Sequence, residues 1–179
     1  MSKLPYKLSF VIHKHDATNL HYDFRLEVNK VTPSWAIPKG PTLDPTLKRL
    51  AMKTTDHSLE YQHFEGILPE GKYGAGPVMI WDMGNYLVER EISKGVREVI
   101  EDKKEAEKEM SEGIKKGGIK FKLFGKKLNG SFALVKTKFL GKDNTWLLIK
   151  HEDEFIKKGY NANDYDFSSV SNKSLKEIR

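Results

Sequence analysis

From Asn19 to Val28 the chain alternates without a break. Leu20, Tyr22, Phe24, Leu26 and Val28 are apolar, while Asn19, His21, Asp23, Arg25 and Glu27 are polar. A period of two sends successive side chains to opposite faces of an extended chain, so this segment predicts a strand with one apolar and one polar face. Phe10 to His15 predicts an earlier strand with His13 and His15 on one side. Trp35 to Pro38 is a short extended segment ended by Pro38, Gly40 and Pro41, and Leu50 to Thr54 and Val78 to Trp81 predict further strands. Pro69 to Pro77 is rich in glycine and predicts a loop.

Beyond Ile92 the pattern changes. Charges of both signs crowd together as far as Lys116, and Val96, Val99, Ile100, Ala106, Met110 and Ile114 fall near helical spacing. The expectation is one thinly packed surface helix over 92–116, ended by Gly117 and Gly118. Ile119 to Phe124 alternates as a strand, Asn129-Gly130 predicts a hairpin turn, and Ser131 to Lys138 and Trp146 to Lys150 predict the last two strands. After Asp153 the chain becomes polar and irregular, and Ser168 to Arg179 is expected to be a loose tail. The expected organisation is one all-β domain over residues 1–155, with one or two surface helices, and a polar C-terminal tail over 156–179. Seven or eight short strands fit a barrel or a sandwich, and the pattern leaves both open.

Composition narrows the chemistry. The chain of 179 residues has no cysteine, which excludes disulfides, thiolate metal sites and a cysteine nucleophile. Any metal must be held by His, Asp or Glu. No run approaches the ~20 apolar residues of a membrane helix, and no apolar block follows the lysines of Met1 to Tyr6, so a cytoplasmic location without a membrane partner is expected. The net charge of +6 and pI near 9.3 favour capture of polyanions, although many basic proteins bind none.

Three of the six histidines, His13, His15 and His21, crowd into the first two predicted strands. His21, Asp23 and Arg25 are two apart and share a face. A solvated strand face more often carries Thr, Lys, Ser or Glu, although a polar face that merely happens to carry histidines remains the plain alternative. Two imidazoles and a carboxylate suit a divalent transition metal and leave positions for water and substrate. Arg25 beside them has the planar fork that matches phosphate oxygens. Downstream, His57 and Tyr61 are four apart and share a face in either a strand or a helix; both can donate to a phosphate oxygen, although half-buried packing is the commoner role of such a pair. Gly71 to Gly76 looks superficially like a phosphate loop, but it lacks the Gly-Lys-Ser/Thr ending and precedes a strand rather than a helix, so it is rejected as one. Lys39, Lys48 and Arg49 are candidates to line a groove for a nucleic-acid strand, or form a solvated basic loop.

His15-Asp16-Ala17-Thr18-Asn19-Leu20-His21-Tyr22-Asp23-Phe24-Arg25-Leu26-Glu27 resembles the opening motif of the 3′-phosphoesterase domain of bacterial DNA ligase D. Ser34 to Pro41 resembles its next block. Asp56-His57, Phe64-Glu65-Gly66, Pro69-Glu70-Gly71 and Tyr73 to Gly76 resemble the third, and Gly130 to Val135 and Trp146 to His151 its closing strands. The resemblance runs from about Lys7 to Asp153. It implies a small β-barrel with the active site on a polar inner face, and manganese as the metal, with other divalent transition metals possible. It also implies removal of a terminal ribonucleoside and then of the 3′-phosphate from DNA or RNA primer ends. By position His15, His21 and Asp23 match the metal ligands, and Arg25, His57 and Tyr61 match residues that engage the scissile phosphate. Lys39 and Arg49 match nearby basic positions. His13 stands where the family commonly has glutamine, and is expected near metal or substrate. The chain holds no Lys-x-Asp-Gly adenylation motif, so a DNA ligase acting in trans is the expected partner. Two other classes remain in view: a non-haem iron oxygenase with His21, Asp23 and His57 as its triad, and a non-catalytic module that binds single strands through charge and stacking.

Overall fold

The structure is a computed structural model that describes residues 3–70, 74–138 and 141–178. Met1 and Ser2, Gly71, Lys72 and Tyr73 of the glycine-rich block, Phe139 and Leu140, and Arg179 of the tail lie outside the described residues.

Among the described residues ten strands, β1 (Leu8–Asp16), β2 (Leu20–Leu26), β3 (Val31–Ile37), β4 (Arg49–Ser58), β5 (Gly66–Leu68), β6 (Gly76–Ser93), β7 (Val96–Val99), β8 (Gly118–Gly125), β9 (Asn129–Lys136) and β10 (Thr145–Lys150), join one antiparallel sheet with a single α-helix, α1 (Lys103–Lys116). The path β1-β2-β3-β4-β10-β9-β8-β6 closes on itself because β6 also pairs with β1, giving an eight-stranded barrel with β5 and β7 appended to β6. Closure leaves the barrel wall no free edge, and eight strands enclose only enough space for side chains.

The apolar half of each alternating strand fills that space. Phe24 of β2 meets Phe121 of β8 edge to face, Tyr22 meets Trp81 of β6, and Trp35 of β3 meets Trp146 of β10. These pairs join strands that are not neighbours, so they cross the interior. It follows that His21, Asp23 and Arg25, of opposite parity, project from the outer side of the wall. The polar inner face implied by the family resemblance is therefore corrected: the inside is packed with aromatic rings, and the polar row lies outside it.

Both ends of the barrel are plugged. At one end α1 lays Ala106 and Met110 against the core. The Asp102 side chain caps its N-terminus by accepting from the Glu105 N–H at 2.9 Å, and Gly117 ends it in the left-handed region at φ 98°. At the other end lies the segment expected to be a loose tail. Tyr160, Ala162, Leu175 and Ile178 are buried in the core cluster. Tyr22 Oη donates to Asn163 Oδ1 at 2.6 Å, and Trp81 Nε1 donates to the Tyr165 carbonyl at 2.9 Å. Lys127 Nζ donates to the Trp81 and Phe167 carbonyls, locking the tail to the β8–β9 turn.

Two local expectations are corrected. Ile92 and Ser93 end β6, residues 94–95 turn at Gly95 (φ 75°) and residues 96–99 return as β7, so the helix starts at Lys103 rather than near Ile92. Asn129-Gly130 is not the hairpin turn: β9 begins at Asn129, and the turn comes just before it. The buried Asp82 carboxylate accepts from the N–H groups of Lys126, Lys127 and Leu128 at 2.8–3.2 Å and shapes that turn from β6. Such a distant acceptor leaves no mark in the local sequence.

Deleting residues 156–178 uncovers Tyr22 and Trp81 and removes four core side chains, each worth about 1.5–3 kcal/mol at full burial of a large one. The thermal midpoint of the shortened chain should fall by about 10 °C or more. A midpoint unchanged by the deletion would show that this segment is not part of the fold.

Candidate metal and phosphate site

The outer faces of β1 to β4 carry the candidate residues, and the register sets their neighbours. His13 lies opposite Asp23 and His15 opposite His21 across β1–β2. Arg25 lies opposite Ser34 across β2–β3, and Thr32 opposite His57 across β3–β4. Tyr61 comes from the 3-10 turn Leu59–His63, which is anchored to β1 where Ser9 Oγ donates to Gln62 Oε1 at 2.7 Å. One wall thus brings together His13, His15, His21, Asp23, Arg25, His57 and Tyr61.

His15, His21 and Asp23 present donor atoms that all lie within 4.8 Å of one another. Their tautomers are set by backbone carbonyls, which can only accept. His15 Nε2 lies 2.5 Å from the Gly74 carbonyl, so it carries the hydrogen and Nδ1 is a bare lone pair, 3.7 Å from Asp23 Oδ2. His21 Nδ1 lies 3.0 Å from the Asn19 carbonyl, so Nε2 is bare and 3.1 Å from the same Asp23 oxygen. Two neutral imidazole lone pairs aimed at one carboxylate oxygen repel unless a proton or a cation lies between them. The donor set therefore fits a divalent transition metal, with the carbonyls acting as the orienting partners that ligating histidines usually have.

The charges behave accordingly. Burial alone would raise the Asp23 pKa, but with a proton rather than a cation in that gap the hydrogen bonding of His15 and His21, and then the Arg25 charge, hold it well below the usual carboxylate range. Burial would lower the His21 pKa, but the hydrogen bond and charge of Asp23 outweigh it and raise it.

Arg25 is only 3 % exposed. Nε donates to His13 Nδ1 at 3.0 Å, Nη1 to Ser34 Oγ at 3.0 Å, and Nη2 faces Asp23 Oδ2 at 3.4 Å. Nη1 also lies 3.2 Å from His57 Nδ1, a nitrogen it shares with the Thr55 carbonyl at 3.1 Å. Four of the five guanidinium hydrogens thus have partners at hand, and one on Nη2 is left for an incoming oxygen. The guanidinium carbon sits 5.0 Å from the centre of the Tyr61 ring, which stacks between His57 and Phe64. Burial raises the Tyr61 pKa, so the phenol keeps its proton as a donor. Burial, then Arg25, lowers the His57 pKa, so that imidazole is neutral near pH 7.

The family model for the DNA ligase D 3′-phosphoesterase domain matches residues 13–136. This chain belongs to that family. It is 43 % identical over 146 residues to the multifunctional non-homologous end joining protein LigD of Pseudomonas aeruginosa, covering 82 % of this chain and 15 % of that protein. It is 38 % identical over 129 residues to LigD of Mycobacterium tuberculosis, covering 72 % of this chain and 14 % of that protein. It is 38 % identical over 161 residues to LigD of Mycolicibacterium smegmatis, covering 90 % and 18 %. The chain therefore spans less than a fifth of the length of these relatives. Hydrolysis of phosphoester bonds is the chemistry that the 3′-phosphoesterase family carries.

Not every predicted residue joins the cluster. His13 was expected at metal or substrate, but it is fully buried with both ring nitrogens engaged, Nε2 to the Phe64 carbonyl at 3.0 Å, and it is corrected to a residue behind Arg25. Lys39 and Arg49 lie in a separate cleft of about 420 Å³ with Pro38, Leu47, Tyr160 and Asn163. The oxygenase reading required His57 as third ligand; His15 occupies that place and His57 lies against Arg25. Ser34 and the carbonyls of Asn19, Phe64 and Gly74 were missed. Backbone carbonyls have no sequence signature, and Ser34 is, with Thr32, one of two polar residues in β3, the one signal available. Among the described residues no helix is long and apolar enough to cross a membrane.

A metal held by His15, His21 and Asp23 would have to displace any proton on His21. Titration with Mn²⁺ should therefore show affinity rising about tenfold per pH unit below the raised His21 pKa and levelling off above it. In the metal-free domain the sign reverses. A raised folded pKa contributes stability at pH below the unfolded value of about 6.5, and that stability is lost as pH climbs through the folded value. Metal affinity that does not vary with pH would remove His21 from the ligand set.

Proposed function

We propose that this domain is a Mn²⁺-dependent 3′-end-processing phosphoesterase, acting as phosphodiesterase and phosphomonoesterase on DNA or RNA primer strands that end in a 3′-ribonucleotide or a 3′-phosphate. The observation that carries this reading is the pair of tautomer-fixed imidazoles converging with Asp23 beside a buried guanidinium that has one hydrogen to spare. Its products would be 3′-hydroxyl ends for end joining, with a DNA ligase acting in trans as the partner. The relatives are named for non-homologous end joining, which is consistent with that setting.

His15, His21 and Asp23 would hold the metal, which when bound supplies Lewis-acid polarisation of the phosphate and a lowered pKa for bound water. The protein's own groups do the rest. Arg25 directs its free Nη2 hydrogen at a non-bridging phosphate oxygen and offsets the charge that grows there, in a dry setting where such a contact is strong. His57, whose Nδ1 lies between Arg25 Nη1 and the Thr55 carbonyl, adds a second polar ring beside the phosphate. Tyr61, stacked on both sides, offers its phenol hydrogen from a fixed ring. The net positive charge favours approach of a polyanion, and the Lys39–Arg49 cleft is available to the strand upstream of its end.

The first test is a labelled primer–template with a 3′-terminal ribonucleotide or a 3′-phosphate, incubated with Mn²⁺ or with EDTA. Mn²⁺-dependent release of the end group is expected, and H21A or D23A should lower kcat by a factor of about 10² or more. Strand binding indifferent to EDTA, with no product, would replace this reading with a binding module. Full activity in either variant would remove the metal assignment.

A further inference from the structure

His13 is fully buried, one strand away from Arg25, and both of its ring nitrogens are spoken for. Nδ1 lies 3.0 Å from Arg25 Nε, and Nε2 lies 3.0 Å from the Phe64 carbonyl. A guanidinium only donates and a carbonyl only accepts, so one state satisfies both: a neutral imidazole with its hydrogen on Nε2. Phe64 in turn closes the 3-10 turn that carries Tyr61, its N–H donating to the Tyr61 carbonyl at 3.1 Å. The Tyr61 ring then packs against Arg25 at 5.0 Å, His13 at 5.2 Å and Phe64 at 5.4 Å. Arg25, His13, Phe64 and Tyr61 form a closed circuit with His13 as its polar link.

We propose that His13 is a positioning residue that bridges the Arg25 guanidinium to the Tyr61 turn, so that the two phosphate-contacting groups move as one rigid unit. Nε lies at the root of the guanidinium, so fixing it together with the Ser34 contact on Nη1 sets the plane of the fork and hence the direction of the free Nη2 hydrogen. His13 itself touches neither substrate nor metal, for the ring offers no unoccupied nitrogen. A glutamine has the same two functions, an acceptor oxygen and a donor nitrogen, at a similar reach. A leucine has neither, and an asparagine is one methylene too short to span both partners. The proposal rests on the phosphoesterase reading for its kinetic consequence and on geometry alone for the bridge.

The test compares H13Q, H13L and H13N with the wild-type chain in three measurements: kcat and KM for Mn²⁺-dependent release of the 3′-phosphate, Mn²⁺ affinity by titration, and the ¹⁵N–¹H signal of Arg25 Nε. H13L is expected to lose about 10–100-fold in kcat, the range seen when an orienting partner is removed, with Mn²⁺ affinity unchanged and the Arg25 Nε–H signal lost to solvent exchange. H13Q should keep the signal and most of kcat, and H13N should behave like H13L, which keeps the comparison decisive if H13L fails to fold. Wild-type kcat with an intact signal in H13L or H13N overturns the proposal, as does an H13Q protein no better than H13N. If the wild-type chain releases no phosphate, the phosphoesterase reading fails, while retention of the Nε–H signal in H13Q and its loss in H13N still decides the bridge.

Discussion

A guanidinium taken out of water on the outer wall of the barrel is the constraint around which this site is organised. Desolvating such a charge costs several kcal/mol unless its hydrogens find partners. Arg25 finds Asp23, His13, Ser34 and His57 in its plane and the Tyr61 ring against its face. Each partner is then held in turn: Asp23 by His15 and His21, His13 by the Phe64 carbonyl, Ser34 by donation to the Thr32 carbonyl. The histidines that face Asp23 are oriented from behind by Gly74 and Asn19. Satisfying one buried cation therefore fixes the geometry of the His15, His21 and Asp23 cluster and of His57 and Tyr61 together.

The barrel makes that precision possible. Its interior is filled by Phe10, Phe24, Trp35, Trp81, Phe121, Phe132 and Trp146, and the His15, His21, Asp23 and Arg25 cluster lies outside it. Most of the site residues sit on strands whose register pins them to within the stiffness of a packed sheet, which is the support that catalytic constellations need. Helix α1 and the C-terminal segment stop the two ends, so the wall is backed by a continuous apolar core. Only Tyr61 comes from outside the strands, and Gln62 and His13 tie its turn to β1.

Much of this was legible because β2 alternates so strictly. Parity alone placed His21, Asp23 and Arg25 on one face, and in the structure the three are joined by contacts of 3.1–3.4 Å through Asp23. His57 and Tyr61 were a weak signal by spacing and became specific only through the family's ordered motifs. The β6–β7 hairpin was mistaken for helix because Val96, Val99 and Ile100 fit a helical spacing as well as an extended one, and short apolar runs do not separate the two periods. Asn129-Gly130 misled for a different reason: a turn three residues earlier is held by Asp82, more than forty residues away in sequence.

By itself the chain's sequence determined which residues alternate, that any metal must be held by histidine and carboxylate in a protein without cysteine, and which family the motifs belong to. Tertiary structure alone decided that the apolar face turns inward and the chemistry outward, because closing eight strands leaves an interior only as wide as its own side chains. It also decided that His13 is buried between Arg25 and the Phe64 carbonyl, and that the polar C-terminal segment is part of the fold. Those outcomes depend on carbonyls and strand partners far apart in the chain, and a local pattern of side-chain types carries no record of which backbone groups will face them.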